Sequence, residues 1–358
     1  MQPAVMHKRQ DQFSLSSPLA DNLPGPDHQS WGVAALRNRV LGVLVFLALV
    51  SVFFAAVAKN FATLSNLNTI VLNACIMIIM ATAEAVVVLT RNTDVSVASI
   101  VSLSAYVGMR LFSLFPSVGP VMIVIPVIIG AACGAINGVL VAYARLPWVI
   151  VTLGTLSVFR GLAVVIAGGK QVEPSELPPW VQTSVTGNYL AGLSPLIVVA
   201  VVVVVVVLLY LRYTKGGRTM YAVGSNPEAA TFYGLKRNRI VFRAFIICGA
   251  LTGLAGYLFG ARASYVTPYF FQGLELPVLG SVFIGGISVQ GGSGNILGAA
   301  VGALVIGTID NGIVLLGASE FLRQLISGLL IVIAVVVDAL ILKQVQNILK
   351  SRRRRGGM

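Results

Sequence analysis

The chain has 358 residues, of which 57% are hydrophobic and only 10% charged, and its mean hydropathy is +0.90. A soluble domain carries about 25% charged residues, so this composition excludes a soluble protein with a large core and points to a membrane protein. The net charge of +13 does not indicate nucleic acid, because the cations cluster beside apolar runs, where they mark membrane topology.

Residues 1–36 are polar, and the stretch "SSPLADNLPGPD" is rich in Ser, Pro and Asp. The segment is too polar to be the apolar centre of a signal peptide and reads as a disordered cytoplasmic extension. Beyond it, runs such as "LGVLVFLALVSVFFAAVA" and "PLIVVAVVVVVVVLLYL" approach the roughly 20 residues that cross a bilayer as a helix. Ten passes are predicted, at 38–58, 67–90, 95–114, 119–144, 147–168, 193–212, 241–261, 274–291, 293–317 and 322–342. The expected fold class is all-α: a polytopic bundle of about ten transmembrane helices, some broken, occupying 37–342, with a basic tail at 343–358.

Charge gives the orientation. With the N-terminus inside, loop 168–192 falls outside and carries Lys170 against Glu173 and Glu176. Loop 213–240 falls inside and carries Lys215, Arg218, Lys236, Arg237 and Arg239 against Glu228. The tail, with Lys343, Lys350 and Arg352 to Arg355, also falls inside. Both termini are therefore expected in the cytoplasm, and the Arg-rich tail reads as an anchor near anionic lipid rather than a nucleic-acid site. A count of eight passes keeps the same parity.

Within the passes, Gly130, Gly134 and Gly138 lie four apart, as do Gly294, Gly298 and Gly302. Such stripes let helix backbones approach closely in lipid, and packing within the chain is the favoured reading over a homodimer face. Cys75, Cys133 and Cys248 sit far apart in apolar segments, with no metal spacing and no disulfide framework. Two apolar regions are interrupted, at "LTRNTDVSVAS" (89–99) and "IGGISVQGGSGN" (284–295). Paired interruptions in the two halves of a transporter mark a substrate path; short cytoplasmic turns are the competing reading, and both stay open at this point.

Four blocks in order carry a resemblance: "LTRNTDVSVAS", "NGVLVAYARLPWVIVTLGTLSVFRGLAVVIAGGK", "GRTMYAVGSNPEAATFYGL" and "LGSVFIGGISVQGGSGNILGAAVGALVIGTIDNGIVLLG". Together they resemble the permease subunit of sugar-importing ATP-binding-cassette transporters of the ribose/xylose/rhamnose type, from Val40 to Asp338. The first block is similar to that family's Thr-Gly-Gly-Ile-Asp-Leu-Ser-Val-Gly-Ser. It departs at Arg91-Asn92 in place of Gly-Gly, at Thr93 and Val95 around the Asp, and at Ala98. Glu84 stands where many relatives carry Gln. The Arg-Asn variant and the "GGK" after "FRGL" are similar to rhamnose-type and autoinducer-2-type importers, and the sugar stays open.

The resemblance implies that "GSNPEAATFYG" docks onto a cytoplasmic ATPase subunit, with Gly224, Asn226, Pro227, Glu228, Ala229, Ala230 and Gly234 in the coupling role. Local chemistry agrees. Asn226 suits a helix N-cap and Pro227 its first position. Glu228 lies where the helix dipole favours an acid, Ala229 and Ala230 favour helix, and Gly234 suits its end. The chain contains no Gly-x-x-x-x-Gly-Lys-Ser/Thr phosphate loop, so the energy would come from that partner. A second permease copy or paralogue and an extracytoplasmic binding protein are implied as well, in a bacterial inner membrane. No cofactor or metal and no catalytic residue are expected.

Polar groups within spans are costly and face the bundle interior. Candidates for the translocation path are Asn73, Glu84, Asp94, Ser96, Arg160, Asp310 and Asn311. Glu84 bonds a sugar hydroxyl or pairs with Arg160 or Arg91, the pair being favoured. Asp94, with Ser96 and Ser99, bonds a polyol or caps the next helix, capping being favoured. Arg262, Glu275, Glu320 and Arg323 fall near pass ends and read as interfacial. The alternative function is a proton- or ion-coupled secondary transporter using Glu84 and Asp94. A membrane enzyme is weaker still, since the only histidines are His7 and His28.

Overall fold

Lipid offers the backbone no hydrogen-bond partners, so a spanning segment must satisfy its own N–H and C=O groups. The computed structural model describes residues 39–186, 194–263 and 265–319, with scattered positions between 321 and 336. The predicted N-terminal extension, the basic tail and much of the tenth predicted pass lie outside the described residues. In chain order the helices are α1 (Arg39–Val57), α2 (Leu64–Val88), α3 (Val97–Leu114), α4 (Val124–Gly138), α5 (Trp148–Ala167), α6 (Pro179–Thr186), α7 (Pro195–Tyr213), α8 (Lys215–Ser225), α9 (Pro227–Phe232), α10 (Arg237–Arg262), α11 (Glu275–Ile284) and α12 (Ile296–Leu315). A π turn, Val139–Tyr143, extends α4. Eight segments are long and apolar enough to cross a membrane: α1, α2, α3, the α4 segment, α5, α7, α10 and α12. The chain is an all-α polytopic membrane protein.

Those eight match the first seven predicted passes and the ninth. The eighth differs in kind: within 274–291 the helix covers ten residues, α11, about 15 Å long at 1.5 Å per residue, and the chain between Val266, bridged to Val172, and Gly292, bonded to Leu89, is completed by non-helical backbone. This helix ends at Gly286, whose φ of 82° closes it, and Gly291, Gly292 and Gly294, with φ between 70° and 138°, keep the backbone that follows non-helical. Glycine enters that region freely, whereas side-chain-bearing residues are strained there. Gly294 is thereby removed from the predicted stripe, and only Gly298 and Gly302 lie on α12.

Burial separates centre from rim. In their apolar windows, α2 and α3 are each 72% buried and α10 67%, against 11% for α1. Leu49, Val52 and Phe53 of α1 stay exposed, as befits a helix facing acyl chains.

The centre is held by backbone-to-backbone approach. A Cβ on Gly130 of α4 would stand 2.1 Å from the Gly249 carbonyl oxygen of α10, and one on Gly249 would stand 2.2 Å from that of Gly130. Gly298 of α12 meets the Gly285 carbonyl at 2.0 Å in the same sense. Each stripe thus packs within the chain, where close contact replaces the hydrophobic drive that lipid removes. Gly130→Val is expected to lower stability by about 1–3 kcal/mol or more, as overpacking does. Gly154→Val, on the exposed side of α5 with nothing within 4 Å, is expected to change little; thermal unfolding in detergent compares the two.

Candidate functional site

The basic segment between α7 and α10 forms two short helices. Thr214 caps α8 by accepting the Gly217 N–H at 3.0 Å. Gly217, Met220 and Gly224 recur on one buried face, with Val223 beside them, so α8 lies against the bundle. Asn226 caps α9 by accepting the Ala229 N–H at 3.0 Å, and Pro227 and Glu228 fill its first turn. Gly234 ends it at φ 80°. Of α9 only Ala230 is buried. Beside it, Phe232 and Tyr233 are 88% and 81% exposed and form an edge-to-face pair with centroids 5.9 Å apart. Sequence reasoning passed over these two aromatics, although "TFYG" at the end of a six-residue helix was the signal.

Gly224 is where this segment meets the spans. A Cβ there would stand 1.8 Å from the Leu89 carbonyl oxygen and 2.6 Å from the Gly292 nitrogen. The Gly292 N–H itself donates to the Leu89 carbonyl at 3.0 Å. The two helix interruptions therefore touch each other and α8 at once. Arg91 completes the clasp: its Nε donates to the Gln290 carbonyl at 2.8 Å and its Nη2 to the Ser225 carbonyl at 3.2 Å. Arg91 takes φ 64°, the conformation that favours the glycine of the resembling block. Tyr221 of α8, another residue passed over, donates to the Gly294 carbonyl at 3.2 Å. Burial pushes its phenol up, which keeps it a donor.

The polar residues predicted to line one path fall into three separate places. Glu84, Asp94 and Ser96 form a fully buried knot. Glu84 Oε1 accepts the Asp94 N–H at 2.9 Å. Asp94 Oδ1 accepts the Ser96 N–H at 3.0 Å and its hydroxyl at 2.5 Å. Asn137 Nδ2 of α4 donates to both Asp94 oxygens, at 3.2 and 3.1 Å, and to Ser96 Oγ at 2.8 Å. The Cys248 thiol of α10 faces Glu84 Oε2 at 3.8 Å. The expected pairing of Glu84 with Arg160 or Arg91 is thus overturned. Glu84 sits one turn from the end of α2, and the nearest donor is the backbone N–H of the turn that follows. Asp94 turns the chain into α3 through an Asx-type bond, close to the favoured capping reading. Asn137, a single amide in an apolar Gly-rich run, was legible as the missing partner.

Arg160 of α5 instead pairs with Glu275 at the start of α11, both side chains largely buried. This ion pair ties two elements and stands apart from the rest.

The third place is a cavity of about 620 Å³ between α2, α10 and α12. It gathers Asn73, Asp310 and Asn311 with Arg262, and Met77 and Phe271 give it apolar walls. Arg262 Nη1 donates to the Leu72 carbonyl at 2.9 Å and Nη2 to Asn73 Oδ1 at 2.8 Å. The Asn311 and Asn66 amides exchange bonds at 3.0 Å each. Arg262, the last residue of α10 and read as interfacial from its place at a pass end, also lines this cavity, for which a cation at the end of a span carried no signal. Neither Glu84 nor Asp94 lines this cavity.

Residues 66–335 match the family described as the branched-chain amino acid transport system / permease component. The autoinducer 2 import system permease protein LsrC of Enterobacter sp. (strain 638) is 37% identical over 85% of this chain and 87% of its own length. The protein of the same name from Escherichia coli (strain K12 / DH10B) is 33% identical over 84% and 87%. The ribose import permease protein RbsC of Escherichia coli (strain K12) is 32% identical over 84% and 93%. No solved structure matches the chain. A helical bundle with eight membrane-capable spans, and a family match that covers most of it, establish that the chain belongs to this family of membrane-embedded permease components.

Proposed function

We propose that this chain forms the translocation path for a monosaccharide or similar polyol-like solute, of the rhamnose, ribose or autoinducer-2 class, and that a separate cytoplasmic ATPase drives it through α9. The observation that carries the reading is the clasp of Gly224 and Ser225 onto both helix interruptions. A helix pushed or pulled from the basic side moves the ends of α2, α3, α11 and α12 with it, as rigid-body switching requires. The exposed Phe232 and Tyr233 supply aromatic anchors for a partner groove. The charge pattern puts this face in the cytoplasm of a bacterial inner membrane.

The solute passes the cavity at Asn73, Arg262, Asp310 and Asn311. Amide, carboxylate and guanidinium groups suit hydroxyls, and the Met and Phe walls suit the apolar faces of a sugar ring. Two of the relatives named above import autoinducer 2 and ribose by their names. An extracytoplasmic binding protein delivers the solute and supplies most of the affinity, and a second permease copy or paralogue forms the other half of the path. Glu84, Asp94, Ser96 and Arg160 are structural in this reading, because their partners are protein groups.

Three outcomes test it. Glu228→Arg is expected to abolish ATP-dependent uptake while leaving membrane insertion intact, read by vesicle uptake and by surface labelling; uptake that persists without the ATPase and follows the proton gradient would overturn the proposal. Arg262→Ala is expected to reduce the maximal uptake rate by about tenfold or more, the scale of a lost charged hydrogen bond, with little change in half-saturating solute. Asp94→Ala strands the donors of Asn137 and Ser96 and is expected to cost about 1–3 kcal/mol per unpaired group. Its signature is a lower melting temperature, with solute dependence unchanged in the protein that remains folded.

A further inference from the structure

A second cavity, of about 880 Å³, opens beside α9, between the π turn that ends the α4 segment, the start of α5 and the start of α10. Arg145, Lys236, Arg237 and Arg239 line it, with Trp148 and Gly234. No acidic residue is among its lining residues, and among the described residues none of these four cations is engaged in an ion pair or a side-chain hydrogen bond. Like charges gathered without a counter-charge repel one another, so the site is set for an anion.

The surroundings say which kind. Tyr143, half-exposed, and Trp148 bracket the turn that carries Arg145, and such aromatics favour the level of lipid headgroups. From the cleft an exposed apolar strip, Leu146, Ile150 and Leu153, runs up α5, on the side where acyl chains lie. Charge sits at the headgroup end, and apolar surface lies at the chain end. We propose that this cleft binds the phosphate headgroup of an anionic phospholipid, with its acyl chains along α5. Because Gly234 and Lys236 belong to the turn between α9 and α10, the bound lipid braces the driven helix against the α4–α5 turn. The lipid site stands on its own geometry and does not require the solute assignment made above.

Tryptophan quenching by brominated lipid tests it on the full chain, assembled with its ATPase in vesicles. The signal lost in Trp148→Phe isolates the site. Wild-type protein is expected to prefer brominated phosphatidylglycerol to brominated phosphatidylcholine by about tenfold or more, given the effect of each cation near a lipid surface. Arg145→Gln/Arg237→Gln/Arg239→Gln is expected to bring that ratio to near unity. Equal quenching by the two lipids in the wild-type protein would overturn the proposal without reference to any variant. So would a preference erased by millimolar inorganic phosphate, which would mark a free-ion site. A triple variant that keeps its lipid preference but loses the ATPase would assign the cleft to an acidic protein surface instead.

Discussion

The Leu89 carbonyl oxygen is the point on which the basic end of this protein turns. It ends α2, it accepts the Gly292 N–H at 3.0 Å, and it is covered by the Cα of Gly224. Three segments far apart in the chain are thereby brought to one atom. Only a residue without a side chain fits over it, because a Cβ at position 224 would stand 1.8 Å away. Arg91 doubles the contact by reaching the carbonyls of both Gln290 and Ser225. A carbonyl has room for such partners because α2 stops there, leaving its last oxygens without intrahelical donors. The interruption is thus the means by which a surface helix is fastened to the spans.

In the proposed function, the rigidity needed to transmit motion comes from two kinds of contact that work in lipid. Glycine crossings bring α4 against α10 and α11 against α12 at backbone distance, where dispersion replaces the missing hydrophobic drive. The knot of Glu84, Asp94, Ser96 and Asn137 then fixes the turn between α2 and α3 against α4. Buried polar groups of this kind are stabilising only when satisfied, and half-satisfied they are costly. The knot is dense with donors aimed at the two carboxylates. Its members are engaged with one another and with the backbone, save for the Asn137 amide oxygen, which has no partner among the described residues, and they sit outside the cavity that Arg262 and Asn73 line.

Function in this reading divides along the membrane normal. The driven handle α9 and the cationic cleft beside it share one end of the bundle. The polar cavity lies elsewhere, between α2, α10 and α12. α2 and α10 belong to both regions, since each runs from the clasp or the cleft to the cavity wall. A weakly polar cavity suits a solute that must be released, because tight binding to one conformation would hold the protein there.

Composition determined that this is a membrane protein, with 57% hydrophobic and 10% charged residues, and the length of its apolar runs made it all-α, since about 20 residues cross a bilayer as a helix. The first seven spans and the ninth, the helix start at Asn226-Pro227 and the close-packing glycines were equally legible, because each rests on local chemistry: length, capping or side-chain size. The eighth span was read as one continuous helix because hydropathy sees an apolar run and not the positive φ that Gly286 and Gly291 adopt within it. The partners of Glu84, the cavity role of Arg262 and the meeting of the two interruptions were decided by tertiary structure. Each is a contact between elements distant in the chain, fixed by which helix faces pack. Periodicity gives the face of one helix; it does not say which other helix that face will meet.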